Sequence, residues 1–414
     1  MKDYRWGTMI PLIGGSAIGC SMATGNKPLF HLSFDGFQYN DNGILNYWPG
    51  IPYYLLDKDT IDTNESRFKG IDFVNSVCPC AALARLNTST GEKTGAYAPQ
   101  NEWMYKSAEF VLGNIQPTVY FGENAPALCR DAGKPVVKRL VEIGKKYGYC
   151  FAIYRTDTKY HGLPQRRSRC FYYFFKGEEA PLMEYIRKPW ENGVAEFLKQ
   201  IPADATCQDI FNDSRKCTDT CKEYAFLLDR SGMTHEQFVE ANNGKSTTAM
   251  LQKSPALLDE CMQWVSSNCP DSVHAPSGRG KTTVEKLQYM KSKFDDGKGV
   301  FDSGIAFHSD MMNAIISKNI ATMCHPTENR FLNYREMLTL MGMPYDFEPV
   351  SIKEKEDYVK AYIIGQNVPS TTAKDACQQA LDFIDGNSNG TVNVPDGEYL
   401  LVDNIRMKTC MVAA

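Results

Sequence analysis

The chain has 414 residues, and its 45 Lys and Arg against 49 Asp and Glu give a formal charge of −4. With 43% hydrophobic and 23% charged residues, the composition is typical of a folded soluble protein rather than a disordered or collagen-like one. No apolar run reaches the 18 residues of a membrane span, and no secretory segment follows the first residues, so we expect a cytoplasmic protein. The 14 cysteines are scattered, and in a reducing compartment we expect them to remain thiols.

The first 175 residues predict alternating strands and helices, which is typical of a doubly wound, mostly parallel α/β sheet. Strands are predicted at 8–13, 29–34, 53–56, 71–77, 118–121, 149–154 and 169–175, and helices at 17–23, 102–112 and 135–146. Ligands of such sheets bind at the carboxyl ends of the strands. The small or polar residues that follow these strands therefore predict a site there.

The composition changes after residue 176, where helical and charged stretches replace strands. Helices are predicted at 183–200, 234–242, 256–265 and 284–294, then at 334–341 and 372–383, with one strand-like run at 399–402. We therefore expect a catalytic and cofactor-binding domain over 1–175 plus 329–390, a smaller helix-rich target-recognition domain over 176–328, and a tail over 391–414. We also expect a monomer.

Three short motifs follow predicted strands and carry reactive side chains. Cys80 follows a proline after a buried strand, which suits a nucleophile on a tight turn. Glu123 and Asn124 follow a later strand. The run QRRSR at 165–169 then leads into an aromatic strand, and strand alternation places Gln165, Arg167 and Arg169 on one face. Arginines that enter a sheet in this way need an anionic or carbonyl partner.

Taken together and in this order, the motifs resemble those of the C5-cytosine DNA methyltransferases. The resemblance covers about residues 8–175 and 329–385. It rests on DFVNSVCPC at 72–80, FGEN at 121–124, YHGLPQRRSR at 160–169, NYRE at 333–336, MGMP at 341–344 and GQNV at 365–368. It implies a Rossmann-like methyltransferase fold that acts on double-stranded DNA with S-adenosyl-L-methionine.

The resemblance also assigns roles to the catalytic residues. The Cys80 thiolate adds to C6 of a flipped-out cytosine, which makes C5 nucleophilic. Glu123 contacts or protonates N3, and Asn124 holds the cysteine turn. Arg167 and Arg169 contact the base carbonyl and phosphate, with Gln165 orienting them.

The implied cofactor site departs from the family pattern. The first glycine-rich motif reads IPLIGG at 10–15, so its paired glycines remain but its aromatic residue and first glycine do not. Ser33 stands where the family has an acidic ribose ligand, and Asp35 is the expected substitute. The predicted cofactor residues are Ile13, Gly14, Gly15, Phe34, Asp35, Asp59, Ile61, Pro79, Met104, Gln366, Asn367 and Val368.

Two further departures lie near the transferred group and leave the donor open. Ala81 follows the nucleophile where the family has Gln, and Gln366 stands where the family has Asn. One interpretation is drift within a divergent, bacterial or phage lineage. The other is a donor larger than a methyl donor, such as carboxy-S-adenosyl-L-methionine.

The recognition domain contains the most basic window of the chain. Its candidate phosphate contacts are Arg279, Lys281, Lys286, Lys291 and Lys293, and the alternative is a solvated helix face. No metal is expected, because the spacing of Cys207, Cys217 and Cys221 matches no zinc module. Methylation of tRNA cytosine and a catalytically inactive DNA-binding relative remain competing functions.

Overall fold

The computed structural model describes residues 2–78, 83, 95–207, 216–273, 281–300, 304–316, 322–348 and 363–414. Nine of the strands in these ranges form one mixed sheet. They are β1 Trp6–Met9, β2 His31–Ser33, β3 Tyr53–Leu55, β4 Phe73–Val77, β5 Val119–Asn124, β6 Tyr149–Asp157, β8 Ser168–Lys176, β12 Glu398–Asp403 and β13 Lys408–Ala413. The strand order is β13-β12-β6-β8-β5-β4-β1-β2-β3.

The sheet is mostly parallel, as the sequence predicts. Strands β1 to β5 pair in parallel, and β12 lies parallel to β6. Strand β8 runs antiparallel to both β5 and β6. Its continuous run CFYYFF is buried along its whole length, because helices cover both faces of the sheet. The α/β fold class is therefore confirmed.

The helices that flank the sheet are α1 Gly15–Thr24, α2 Gln38–Tyr47, α3 Glu102–Phe110, α4 Lys134–Lys146, α12 Tyr334–Leu340 and α13 Ser370–Ile384. Helices α1 and α13 approach closely at Gly19, where an added Cβ would lie 2.4 Å from the Ser370 carbonyl oxygen. This contact joins the C-terminal part of the catalytic region to the first helix after β1.

A second group of helices lies between residues 193 and 295. They are α5 Gly193–Leu198, α6 Cys217–Thr220, α7 Lys222–Ser231, α8 His235–Ala241, α9 Thr247–Gln252, α10 Pro255–Asn268 and α11 Thr283–Asp295. A separate apolar core, built around Tyr224 and Leu287, joins α6 to α11. Helix α5 instead contributes Val194 and Phe197 to the core of the sheet. The second core thus begins at Cys217 rather than near residue 176.

Two expectations from the sequence are corrected here. The helix expected over 183–200 forms only at Gly193–Leu198. Upstream, the backbone amides of Glu184 and Ile186 donate to the Gln379 and Asn404 side chains, and Pro189 interrupts the segment. The second correction concerns the expected tail, because residues 398–413 form β12 and β13 of the main sheet.

Two short sheets complete the fold. Strand β7 Gln165–Arg166 pairs in parallel with β10 Met312–Asn313. Strand β9 Glu179–Pro181 pairs antiparallel with β11 Thr391–Asn393. The first of these sheets fixes the segment from 312 to 316 beside residues 165–166, just before β8.

Candidate active site

The ends of β4, β5 and β8 meet at one edge of the sheet. Val77 pairs with Glu123 across β4 and β5, and Asn124 pairs with Cys170 across β5 and β8. The predicted nucleophile Cys80 and its neighbour Pro79 follow β4 directly and lie outside the described residues. In the sequence, Cys80 is the third residue after Val77, the last residue of β4.

Glu123 and Arg169 form an ion pair at this edge. Arg169 Nε lies 2.5 Å from Glu123 Oε1, and the two side chains are only 12% and 3% exposed. A buried carboxylate is costly unless a cation compensates its charge, so the arginine stabilises Glu123 in place. The pair places a carboxylate and a guanidinium side by side at the edge where β4 and β5 end.

Cys78, the residue that directly follows β4, is buried. Its Sγ lies 3.2 Å from Ser76 Oγ and accepts a hydrogen bond from the Tyr172 hydroxyl at 3.5 Å. Burial raises the pKa of the Cys78 thiol above its ordinary value. Cys78 is therefore a packed thiol at neutral pH, and it is poorly suited to act as a nucleophile.

Asn124 is fully buried at the end of β5. Its side-chain oxygen accepts from the amide of Ala125 at 2.8 Å. Its Nδ2 has no hydrogen-bond acceptor within the part of the chain that the structure describes. The contact of Asn124 with the cysteine turn stays a prediction, because residues 79–82 lie outside that part.

Gln165 and Arg167 do not share a contact with Arg169, which corrects the predicted single face. The Arg167 guanidinium donates to three carbonyl oxygens, those of Ile315 at 2.5 Å, Gly365 at 3.2 Å and Asn367 at 2.8 Å. Strand pairing is interrupted at Arg167, because β7 pairs with β10 while β8 enters the main sheet. The strict alternation on which the prediction depended therefore ends at this residue.

Gln165 also binds backbone rather than the arginines. Its Nε2 donates to the Leu340 carbonyl at 2.8 Å, and its Oε1 accepts from the Ile315 amide at 3.2 Å. In this structure Gln165 and Arg167 thus join the 312–316 segment to the catalytic region. Of the two predicted arginines, Arg169 is the one that pairs with Glu123.

The predicted cofactor residues at the first and last motifs lie together. The Gly15 amide donates to the Asn367 side-chain oxygen at 3.0 Å. An added Cβ at Gly15 would lie 2.1 Å from the Val368 carbonyl oxygen, so only glycine fits. Gln366 is half-buried beside them. Gly14 has φ +106°, and Ile13 is buried beneath the same loop.

Other predicted cofactor residues lie beyond β2 and β3. The Phe34 ring packs against Trp103, with centroids 4.8 Å apart, next to the buried Met104. Asp59 accepts from the Leu55 amide at 2.6 Å and is exposed, while Ile61 is half-buried. These residues surround the carboxyl ends of β2 and β3.

Asp35 points away from the end of β2. It is 44% exposed, and its carboxylate lies 2.7 Å from Lys58 Nζ. Hydrogen bonds from Lys58 and Gln38 hold the pKa of this carboxyl below its ordinary value. Asp35 thus forms a surface ion pair, and its contact with the ribose stays a prediction.

Sequence reasoning missed a buried acid in the same half of the molecule. Asp41, on α2, is fully buried and accepts hydrogen bonds from Leu12 N, Ser33 Oγ and Tyr53 OH, at 2.9, 2.6 and 2.8 Å. Burial raises its pKa to about 7. The segment QYNDNGILNY has weak helical periodicity, so neither the helix nor the burial of its acid was predicted.

The basic window is not one continuous basic face. Lys286 is buried and pairs with Glu223 at 2.9 Å inside the second core, which contradicts its predicted phosphate contact. Lys291 pairs with Asp259. Lys281 and Lys293 lie over the half-exposed ring of Tyr289, at 5.7 and 5.4 Å from its centroid. Arg279 lies outside the described residues.

Within the described ranges, no cluster of three or more histidine, cysteine or acidic side chains could hold a metal ion. None of the helices in those ranges is both long and apolar enough to span a bilayer.

Comparison with known proteins first defines the fold class. A prophage-encoded protein from E. coli, assigned as a DNA modification methyltransferase, is 14% identical, with 92% of this chain and 99% of that chain covered at a TM-score of 0.52. The Entamoeba histolytica methyltransferase EhMeth is 12% identical, with 93% and 99% covered at a TM-score of 0.54. At these identities the likeness shows a methyltransferase fold.

The family follows from the sequence. Residues 51–380 match the model of the C-5 cytosine-specific DNA methylases, which is most of the chain. The chain therefore belongs to this family, and it is an enzyme of the DNA cytosine-5 methyltransferase class. A search of curated protein sequences gives no match.

Proposed function

We propose that the protein transfers a methyl group from S-adenosyl-L-methionine to C5 of a cytosine flipped out of double-stranded DNA. The observation that carries this proposal is the buried Glu123–Arg169 pair at the edge where β4 and β5 end. Its members match, residue by residue, the family motifs that act on the base.

The chemistry assigned to these side chains follows from the electron demand of the ring. C5 of cytosine is a poor nucleophile until a thiolate forms a bond to C6. We assign that thiolate to Cys80. Glu123 protonates or hydrogen-bonds N3, which removes the negative charge that builds up as the S–C6 bond forms. After the transfer, loss of the C5 proton and cleavage of the S–C6 bond restore the ring and the free thiolate.

The described residues fit the sulfonium donor. Ser16 Oγ, in the first turn of α1, is buried and has no hydrogen-bond partner among the described residues. Together with the amides at the start of α1, it can bind the carboxylate of the donor. Phe34, Asp59 and the Gly14–Gly15 pair would hold the remainder. When bound, the donor supplies an electrophilic methyl group.

The larger donor predicted from Ala81 and Gln366 is a second candidate. Ala81 lies outside the described residues. Gln366 is half-buried and directly precedes Asn367, which binds the Gly15 amide, and this position supports a role for it toward the donor. A donor assay with both S-adenosyl-L-methionine and carboxy-S-adenosyl-L-methionine separates the two candidates.

Covalent trapping tests the proposed function. A duplex containing 5-fluorocytosine blocks proton loss at C5, so the full chain should remain attached to it in a denaturing gel when the donor is present. Cys80→Ala should abolish the adduct. Cys78→Ser is the matched control, because that thiol is packed against Ser76 and Tyr172, and it should retain the adduct. An adduct that survives Cys80→Ala, or one formed on tRNA only, would overturn the proposal.

A further inference from the structure

Helix α2 contacts the loop between β1 and α1 at three positions, Asp41, Gly43 and Ile44. Asp41 Oδ1 accepts from the Leu12 amide at 2.9 Å. An added Cβ at Gly43 would lie 3.2 Å from Ile13 Cα, and one at Gly14 would lie 2.6 Å from the Ile44 side chain. The helix therefore lies directly against the loop that carries the first cofactor motif.

The loop has a left-handed backbone at residues that are not glycine. Ile10 and Leu12 both have φ +51°. This conformation is unfavourable for an ordinary L-residue, because Cβ approaches the following carbonyl oxygen. Leu12 stands where the related sequences have the first glycine of the motif. The loop thus keeps a glycine-like conformation without the glycine.

Asp41 is the group best placed to hold this conformation. Its carboxyl accepts from the Leu12 amide, from Ser33 Oγ at the end of β2, and from the Tyr53 hydroxyl on β3. These three donors come from the elements whose carboxyl ends form the cofactor edge of the sheet. A single buried carboxyl therefore ties the loop to two neighbouring strands.

We propose that Asp41 is a positioning residue for donor binding, and that its carboxyl holds Leu12 in a left-handed conformation that glycine would adopt without strain. The inference rests on the proposed function, because it assumes that the 10–15 loop binds the donor. It goes beyond that function because Asp41 lies outside the family motifs and acts on the backbone conformation of Leu12.

Equilibrium binding of S-adenosyl-L-methionine to the full chain, measured by titration calorimetry, tests this role. Asp41→Ala should weaken binding about tenfold, since the loop must then be re-ordered against the intrinsic preference of Leu12. Adding Leu12→Gly should recover about fivefold, because glycine adopts positive φ readily. Leu12→Ala is the matched control: it removes the same side chain but keeps Cβ, so it should recover nothing.

The kinetic readout separates positioning from chemistry. At saturating donor, kcat of Asp41→Ala should stay within about threefold of wild type, while KM for the donor should rise with the dissociation constant. If Asp41→Ala does not fold, Asp41→Asn takes its place. Asn fills the same volume and keeps one acceptor oxygen, so we expect about a threefold loss with the same recovery by glycine over alanine.

Equal recovery by Leu12→Gly and Leu12→Ala, or wild-type affinity in Asp41→Ala, would overturn the inference. A wild-type chain that binds no S-adenosyl-L-methionine would instead overturn the donor named in the proposed function. The two failures are therefore distinguishable.

Discussion

The strand edge has a base-modifying half and a cofactor half, and the two halves are built from different kinds of residue. At the base-modifying half, Glu123 and Arg169 are family motif residues and contact each other directly. At the cofactor half, the family acid and first glycine are absent, and the buried Asp41 holds the loop and the ends of two strands. Chemistry on the base depends on particular functional groups, whereas binding of the donor depends on a loop shape that different residues can produce.

The largest effect should come from Glu123→Gln, which removes the acid from the base-modifying half. General acid–base groups contribute about 10²–10⁴ in rate, so kcat should fall within that range. Donor affinity should stay within a factor of about two, because Glu123 has no contact with the 10–15 loop. Single-turnover methylation and titration calorimetry measure the two quantities. A parallel loss of donor affinity would contradict the division between the halves.

Lys286→Met should destabilise the second core rather than lower the affinity for DNA. The substitution removes the lysine that pairs with the buried Glu223, and removal of one partner of a buried pair costs about 3–5 kcal/mol. Urea unfolding should show this loss. The paired variant Glu223→Gln/Lys286→Met should recover part of it. Loss of DNA affinity in a fully stable Lys286→Met chain would restore the phosphate contact predicted from the sequence.

Asp41→Asn should change how stability depends on pH. The pKa of Asp41 is raised from about 3.8 to about 7 in the folded chain, so the folded state binds a proton more tightly than the unfolded state does. Its contribution to stability is present below about pH 4 and is lost as pH rises to 7, by up to about 4 kcal/mol.

Thermal unfolding of the two chains between pH 5 and 8 measures this difference. Wild type should lose stability relative to Asp41→Asn as pH rises. Tyr53, the titratable group that donates to Asp41, ionises above this window because burial raises its pKa. Parallel melting curves across the window would contradict the buried-acid account.

The smallest effect is expected at the recognition domain. Replacing both Lys281 and Lys293 with Ala removes two cations that lie over Tyr289. If both contact phosphates, the slope of log affinity against log salt should fall by about 1.8. Lys291→Ala is the matched control, because that lysine pairs with Asp259. An unchanged slope in the double variant would leave the solvated helix face as the better interpretation.

Sequence patterns predicted the sheet well because its strands are buried, apolar and bounded by polar residues. The motif residues Glu123, Arg169, Gly15 and Asn367 were likewise predicted, since they occupy strand ends or motif positions. The positive φ of Leu12 could not be predicted, because the Leu12 amide binds Asp41, which lies 29 residues further along the chain.

Other errors have the same origin in long-range contacts. The alternation through residues 165–169 predicted one face, but Arg167 binds carbonyl oxygens about 150 and 200 residues away in the chain. The positive charge of Lys286 suggested DNA, but Glu223 and the apolar residues around it bury that charge. In each case a partner distant in sequence decides where the side chain lies.

Mass spectrometry of nucleosides tests the central claim most directly. The full chain is incubated with duplex DNA and S-adenosyl-L-methionine carrying an isotopically labelled methyl group, and the DNA is then digested. The account predicts labelled 5-methylcytosine with wild type and none with Cys80→Ala. Labelled product from Cys80→Ala would contradict it. So would the absence of 5-methylcytosine from a wild-type chain that is folded and binds the donor.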